Sequence, residues 1–128
     1  MARARNTLAK IDEVLRTIAM DYPEATLDHP WGHDAFKVRK KVFLFLAPED
    51  GKLGMSLKLP ASAKTALKNA WAEPTGYGPG KPGWVSASFT QGDDPPLSLL
   101  QQWLDESYRS VAPKKLVKLL DSEEGDER

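Results

Sequence analysis

Residues 35–59 read AFKVRKKVFLFLAPEDGKLGMSLKL, and this one stretch contains three strands and two reversals. From Ala35 to Arg39, apolar Phe36 and Val38 alternate with polar Lys37 and Arg39, the period-two signature of a strand with one buried face. Lys40 and Lys41 form a tight polar turn into Val42-Phe43-Leu44-Phe45-Leu46, whose unbroken apolar character predicts a central strand covered on both faces. Pro48-Glu49-Asp50-Gly51 suits a reverse turn, because proline presets φ and glycine tolerates positive φ. Beyond it Leu53, Met55, Leu57 and Leu59 alternate with Gly54, Ser56 and Lys58, so the chain runs as a three-stranded antiparallel meander.

Working outward, Leu8, Ile11, Leu15 and Ile18 recur at helical spacing, with Val14 widening the stripe. Asn6 or Thr7 caps this first helix, and Pro23 lacks the amide needed to continue it. After the meander, Pro60 and a capping Ser62 open a second helix to about Trp71, with Ala63, Ala66, Leu67 and Ala70 inside. Prolines and glycines between Ala72 and Gly83 predict a long loop. Trp84 to Phe89 alternates as a fourth strand, with Trp84 on the face opposite Val85 and partly exposed. Pro95 and Pro96 start a third helix lined by Leu97, Leu100, Leu104, Tyr108 and Val111, and Trp103 falls off that stripe as a candidate partner surface. Pro113 interrupts it, and helical spacing resumes over Lys114 to Leu120. The predicted order is α-β-β-β-α-β-α: an α+β protein with an antiparallel sheet packed by helices, one domain over residues 1–120 and a disordered acidic tail over 121–128.

Composition bounds function. A chain of 128 residues, 41% hydrophobic and 28% charged, holds one ordinary globular core. Its longest apolar run, Val42 to Ala47, is far short of the roughly 18 residues of a membrane span, and no signal peptide opens the chain, so a cytoplasmic protein without a membrane partner is expected. The absence of cysteine excludes disulfides, thiolate metal sites and a cysteine nucleophile. The 18 bases and 18 acids cancel, yet five acids and one base lie from Asp121 onward, leaving 17 bases and 13 acids, a net charge of +4, in residues 1–120.

Several landmarks occur in order: Pro30-Trp31-Gly32-His33-Asp34-Ala35-Phe36-Lys37-Val38 followed by Lys41-Val42-Phe43, then Leu57-Lys58-Leu59, Gly83-Trp84-Val85 and Glu106-Ser107-Tyr108. Together they resemble the MmcQ/YjbR family over roughly residues 8 to 112. Two features depart from its pattern: Arg39 stands where the family often has glycine before the turn lysine, and Pro113 to Arg128 carries no family landmark. The resemblance implies a secretion-chaperone-like fold, also described as a double wing, and a DNA-binding role; it implies no enzyme activity.

Lys37, Arg39, Lys40, Lys41, Lys58 and Lys81 are the candidate phosphate contacts, with Trp84 available to stack on a base. Lysines in turns and on solvent faces also serve solubility and block edge pairing, which is the competing explanation of the same set. His29 and His33 stand four apart, but Pro30 and Gly32 prevent a helix that would join them on one face, so no metal site is expected. Gly76 to Pro82 superficially looks like a phosphate-binding loop, yet only three residues separate Gly76 from Gly80-Lys81, and Pro82 takes the hydroxyl position. No Gly-x-Ser-x-Gly nucleophile elbow occurs. The expectation is a non-catalytic protein without cofactor that binds DNA through a basic sheet face and the Gly/Pro-rich loop, as a monomer or weak homodimer. The alternative is a peptide-binding, chaperone-like protein-interaction module.

Overall fold

The structure, a computed structural model, describes residues 7–29, 34–49, 51–74 and 83–125. Its elements are α1 (Leu8–Asp21), β1 (Ala25–Asp28), β2 (Asp34–Val38), β3 (Lys41–Glu49), β4 (Lys52–Lys58), α2 (Ala63–Ala66), β5 (Ala72–Pro74), β6 (Trp84–Thr90), α3 (Leu97–Val111) and α4 (Lys114–Gly125). The strands form one six-stranded sheet in the order β1-β2-β3-β4-β6-β5, with every described pairing antiparallel. The α+β class and the central meander agree with the sequence.

Four details differ from the sequence reading. β1 and β5 are additional strands of four and three residues at the two edges. Short edges with a proline or a charge limit further pairing, and those same traits remove the alternation by which strands are read. α2 is one turn of four residues, and Ser62 makes no side-chain cap. Its hydroxyl instead donates to Glu106 at 2.6 Å, while Glu106 accepts from the Ala61 and Ser62 amides at 2.8 and 3.0 Å. Finally, α4 continues through the start of the acidic tail to Gly125, where disorder was expected from Asp121.

The helices share one face of the sheet. Ile11, Leu15 and Ala19 of α1, Ala66 of α2, Leu100, Trp103, Leu104 and Tyr108 of α3 and Leu116 of α4 meet Leu53, Met55, Leu57, Val85, Ala87 and Phe89 in one buried cluster. Fully burying each leucine, isoleucine, valine, methionine or phenylalanine of this cluster contributes roughly 1.5–3 kcal/mol, so the core rather than any polar contact dominates stability. Trp103, expected on the surface, is 4% exposed and packs 5.4 Å from the Trp71 ring. A narrow helical stripe missed it because the α2 turn and Trp71, which follows it, cover that side of α3.

Between Phe36↔Leu44 and Lys37↔Val42 the β2–β3 register shifts by one, so Phe43 is an extra residue and joins Leu44 in the core. Phe43 meets Tyr108 edge-on at 5.2 Å, and Tyr108 stacks on Tyr22 at 4.4 Å. Ser107, beside Tyr108, donates to the Phe43 carbonyl at 2.6 Å and accepts from the Lys58 amide at 2.9 Å. Tyr108 donates to the Pro23 carbonyl at 2.8 Å. Glu106, Ser107 and Tyr108 thus tie α3 to the α2 turn, to β3 and β4, and to the segment before β1.

A candidate nucleic-acid interface at one end of the sheet

Antiparallel pairing brings the candidate basic residues together. β2 ends at Val38, β3 begins at Lys41, β4 ends at Lys58, and Lys58 pairs with Trp84 at the start of β6. Arg39, Lys40, Lys41 and Lys58 therefore occupy one end of the sheet, and Lys37 lies one step in from it. The connection is a two-residue turn in which Arg39 and Lys40 take φ of +51 and +73. Two consecutive left-handed residues define the turn whose twist suits a hairpin, and glycine or asparagine adopts it with less strain.

These cations are not equivalent. The Arg39 guanidinium is bidentate to Glu24, with Nε to Oε1 at 2.5 Å and Nη2 to Oε2 at 3.0 Å. That hydrogen bond, aided by charge from Arg39 and Lys115, holds the Glu24 carboxyl below its ordinary range. Lys37 reaches across the sheet to Asp28 at 3.0 Å and lowers its pKa in the same way. Lys40, Lys41 and Lys58 make no ion pair among the described residues. Lys115, in the first turn of α4, also lowers the Glu24 pKa through its charge, a base the sequence did not nominate. Lys81 and the loop over 75–82 lie outside the described residues.

Trp84 corrects an expectation. It sits on the sheet face away from the helices but is only 8% exposed, with its ring 6.0 Å from Phe45. Alternation assigns a side chain to a face without showing whether that face is covered. The partial exposure expected of Trp84 is therefore not found, and its ring packs against Phe45.

The other end of the sheet has the opposite character. Asp28, Asp34, Glu49, Asp93 and Asp94 lie at or just beyond the strand ends there, and the Gln91 amide donates to Gly51 at 2.9 Å, joining two of the turns. Asp34 faces α1, where it takes Arg16, and it also contacts His29 Nδ1 at 2.5 Å. Burial opposes its ionisation, yet the hydrogen bonds from Arg16 and His29 keep its pKa below the ordinary carboxylate value. A concavity of about 650 Å³ opens at this end among Leu8, Asp12, Glu49, Lys52 and Asp93, away from the basic hairpin. His33 is outside the described residues, and among those described no three His, Asp or Glu side chains group as a metal requires. Nor, among them, is any helix long and apolar enough to cross a membrane.

The YjbR family model matches residues 20–110, from the end of α1 through most of α3. The chain belongs to the YjbR family. The YjbR match takes in the β2–β3 hairpin, Lys58 and the Glu106-Ser107-Tyr108 anchor, and it stops before α4. Among solved structures this YjbR chain is similar to the crystal structure of Deinococcus radiodurans protein DR2400, a DUF419 domain, with a TM-score of 0.62 at 22% identity over 86% of this chain and 87% of that one. At that identity the likeness establishes the YjbR fold. A search of curated proteins finds no match.

Proposed function

We propose that this YjbR protein is a small, non-catalytic, cytoplasmic binding protein that grips the phosphate backbone of DNA with the hairpin end of its sheet. The supporting observation is an uneven charge distribution: Lys40, Lys41 and Lys58, without ion pairs among the described residues, share one end with the Arg39–Glu24 pair, while Asp28, Asp34, Glu49, Asp93 and Asp94 outnumber Lys52 at the other. Such polarity orients the protein on a polyanion even though its net charge is zero. Lys40, Lys41, Lys58 and Lys115 supply four phosphate contacts, so log K should fall with log salt at a slope of about −3 to −4.

Fluorescence anisotropy of a labelled duplex at several salt concentrations tests this. The wild type should bind with that slope, and Lys40→Glu/Lys41→Glu/Lys58→Glu should abolish binding with the fold intact. Binding that persists in the triple variant contradicts the proposal.

A second reading has its own observation. The sheet face away from the helices carries a trough of about 470 Å³ lined by Phe45, Ala47, Gly54, Ser56 and Ser88, which supports peptide docking. Salt separates the two readings, because a peptide seated in this trough makes no phosphate contacts and releases no condensed counterions as it binds.

A further inference from the structure

The Arg39 fork stands in the middle of the basic end and is already filled. Glu24 presents two oxygens to it in the planar, paired geometry that a phosphate also offers to a guanidinium. Glu24 is held in place by its surroundings. The Ala25 amide donates to the Tyr22 carbonyl at 3.1 Å across the turn that carries Glu24, and Tyr108 donates to Pro23 immediately before it. Both Glu24 and Arg39 take left-handed backbone angles, φ of +58 and +51, so each side chain is aimed from a constrained position.

We infer that Glu24 is an intramolecular stand-in for a phosphate, occupying the Arg39 fork until a nucleic-acid backbone displaces it. The inference rests on the DNA-binding proposal and adds the regulation of that same site. Glu24 and Arg39 are each 47% exposed, so their contact forms in water, where such pairs stabilise little and exchange readily. At rest the interface offers Lys40, Lys41, Lys58 and Lys115, and Arg39 joins only by trading a carboxylate for a phosphate. The trade lowers affinity for every anion that does not match the fork, while a correctly placed phosphate recovers the bidentate contact.

The experiment is the duplex titration repeated with Glu24→Gln, Glu24→Asn, Arg39→Gln and Glu24→Gln/Arg39→Gln, each checked for its thermal midpoint. Asparagine accepts left-handed backbone readily, so Glu24→Asn guards against a folding defect in Glu24→Gln. Both Glu24 variants should bind roughly three- to tenfold more tightly at low salt, because the phosphate no longer has to displace a carboxylate from the Arg39 fork. Arg39→Gln alone should weaken binding, because it removes the fork and leaves the Glu24 carboxylate unpaired beside the phosphates, and in the double variant the gain over the wild type should vanish. Wild-type affinity in both Glu24 variants overturns the inference and leaves the DNA-binding proposal standing. A gain that survives Arg39→Gln also overturns it, because Glu24 would then act through general repulsion. Absence of binding by every protein, the wild type included, overturns both.

Discussion

Ser107 Oγ lies 2.6 Å from the Phe43 carbonyl oxygen, a contact from the middle of α3 to the bulged strand of the sheet. The same hydroxyl accepts from the Lys58 amide, two residues beyond the last described β3–β4 pair, Phe45↔Ser56. One side chain thus satisfies two backbone groups at the point where the ladder opens, and it does so while fully buried. Ser107→Ala should leave both groups without partners and destabilise the fold by roughly 2–3 kcal/mol, read from urea denaturation. A change near zero would mean that β3 and β4 close directly when the hydroxyl is gone.

Lys40 carries the second prediction. Its φ of +73 is one that glycine adopts without strain, so Lys40→Gly should hold or raise stability by up to about 1 kcal/mol. The same substitution should weaken duplex binding and flatten its salt slope by about 0.9. Opposite movements of thermal midpoint and affinity would separate a retained functional strain from an indifferent surface lysine.

Asp34 sets an acid limit. Its pKa is lowered in the fold relative to an unfolded value of about 3.9, so its stabilising contribution is complete above that value and is lost as pH falls through the folded pKa. Thermal midpoints of the wild type and Asp34→Asn should differ most near neutral pH and converge below about pH 4. A difference that stays constant on acidification would contradict a role for the charged pair with Arg16.

The meander was legible because residues 35–59 spell it twice, once in alternation and once in turn chemistry. The edges were not. Ala25–Asp28 and Ala72–Pro74 are too short for a periodic pattern, and they form strands because β2 and β6 offer them open ladders. Missing β1 had a consequence for the site. Glu24 and Asp28, which border or end that strand, are the acids that engage Arg39 and Lys37, so the sequence counted two cations without their partners. The grouping of Lys40, Lys41 and Lys58 was readable from a hairpin followed by a third strand, whereas Lys115 reaches the same end only through the tertiary position of α4. Ser107 and Tyr108 stood out as a dipeptide in the sequence, but their partners lie 64 and 85 residues away.

The basic end is the central claim, and amide chemical-shift mapping with a short DNA duplex tests it most directly. Titration at low salt should move the amides of Val38 to Val42, Lys58 and Lys115, leaving those of Asp28, Asp34 and Glu49 in place, and added salt should reverse the shifts. Shifts confined to the acidic end or to the trough around Ser56 and Ser88, or no shifts at all, would contradict it.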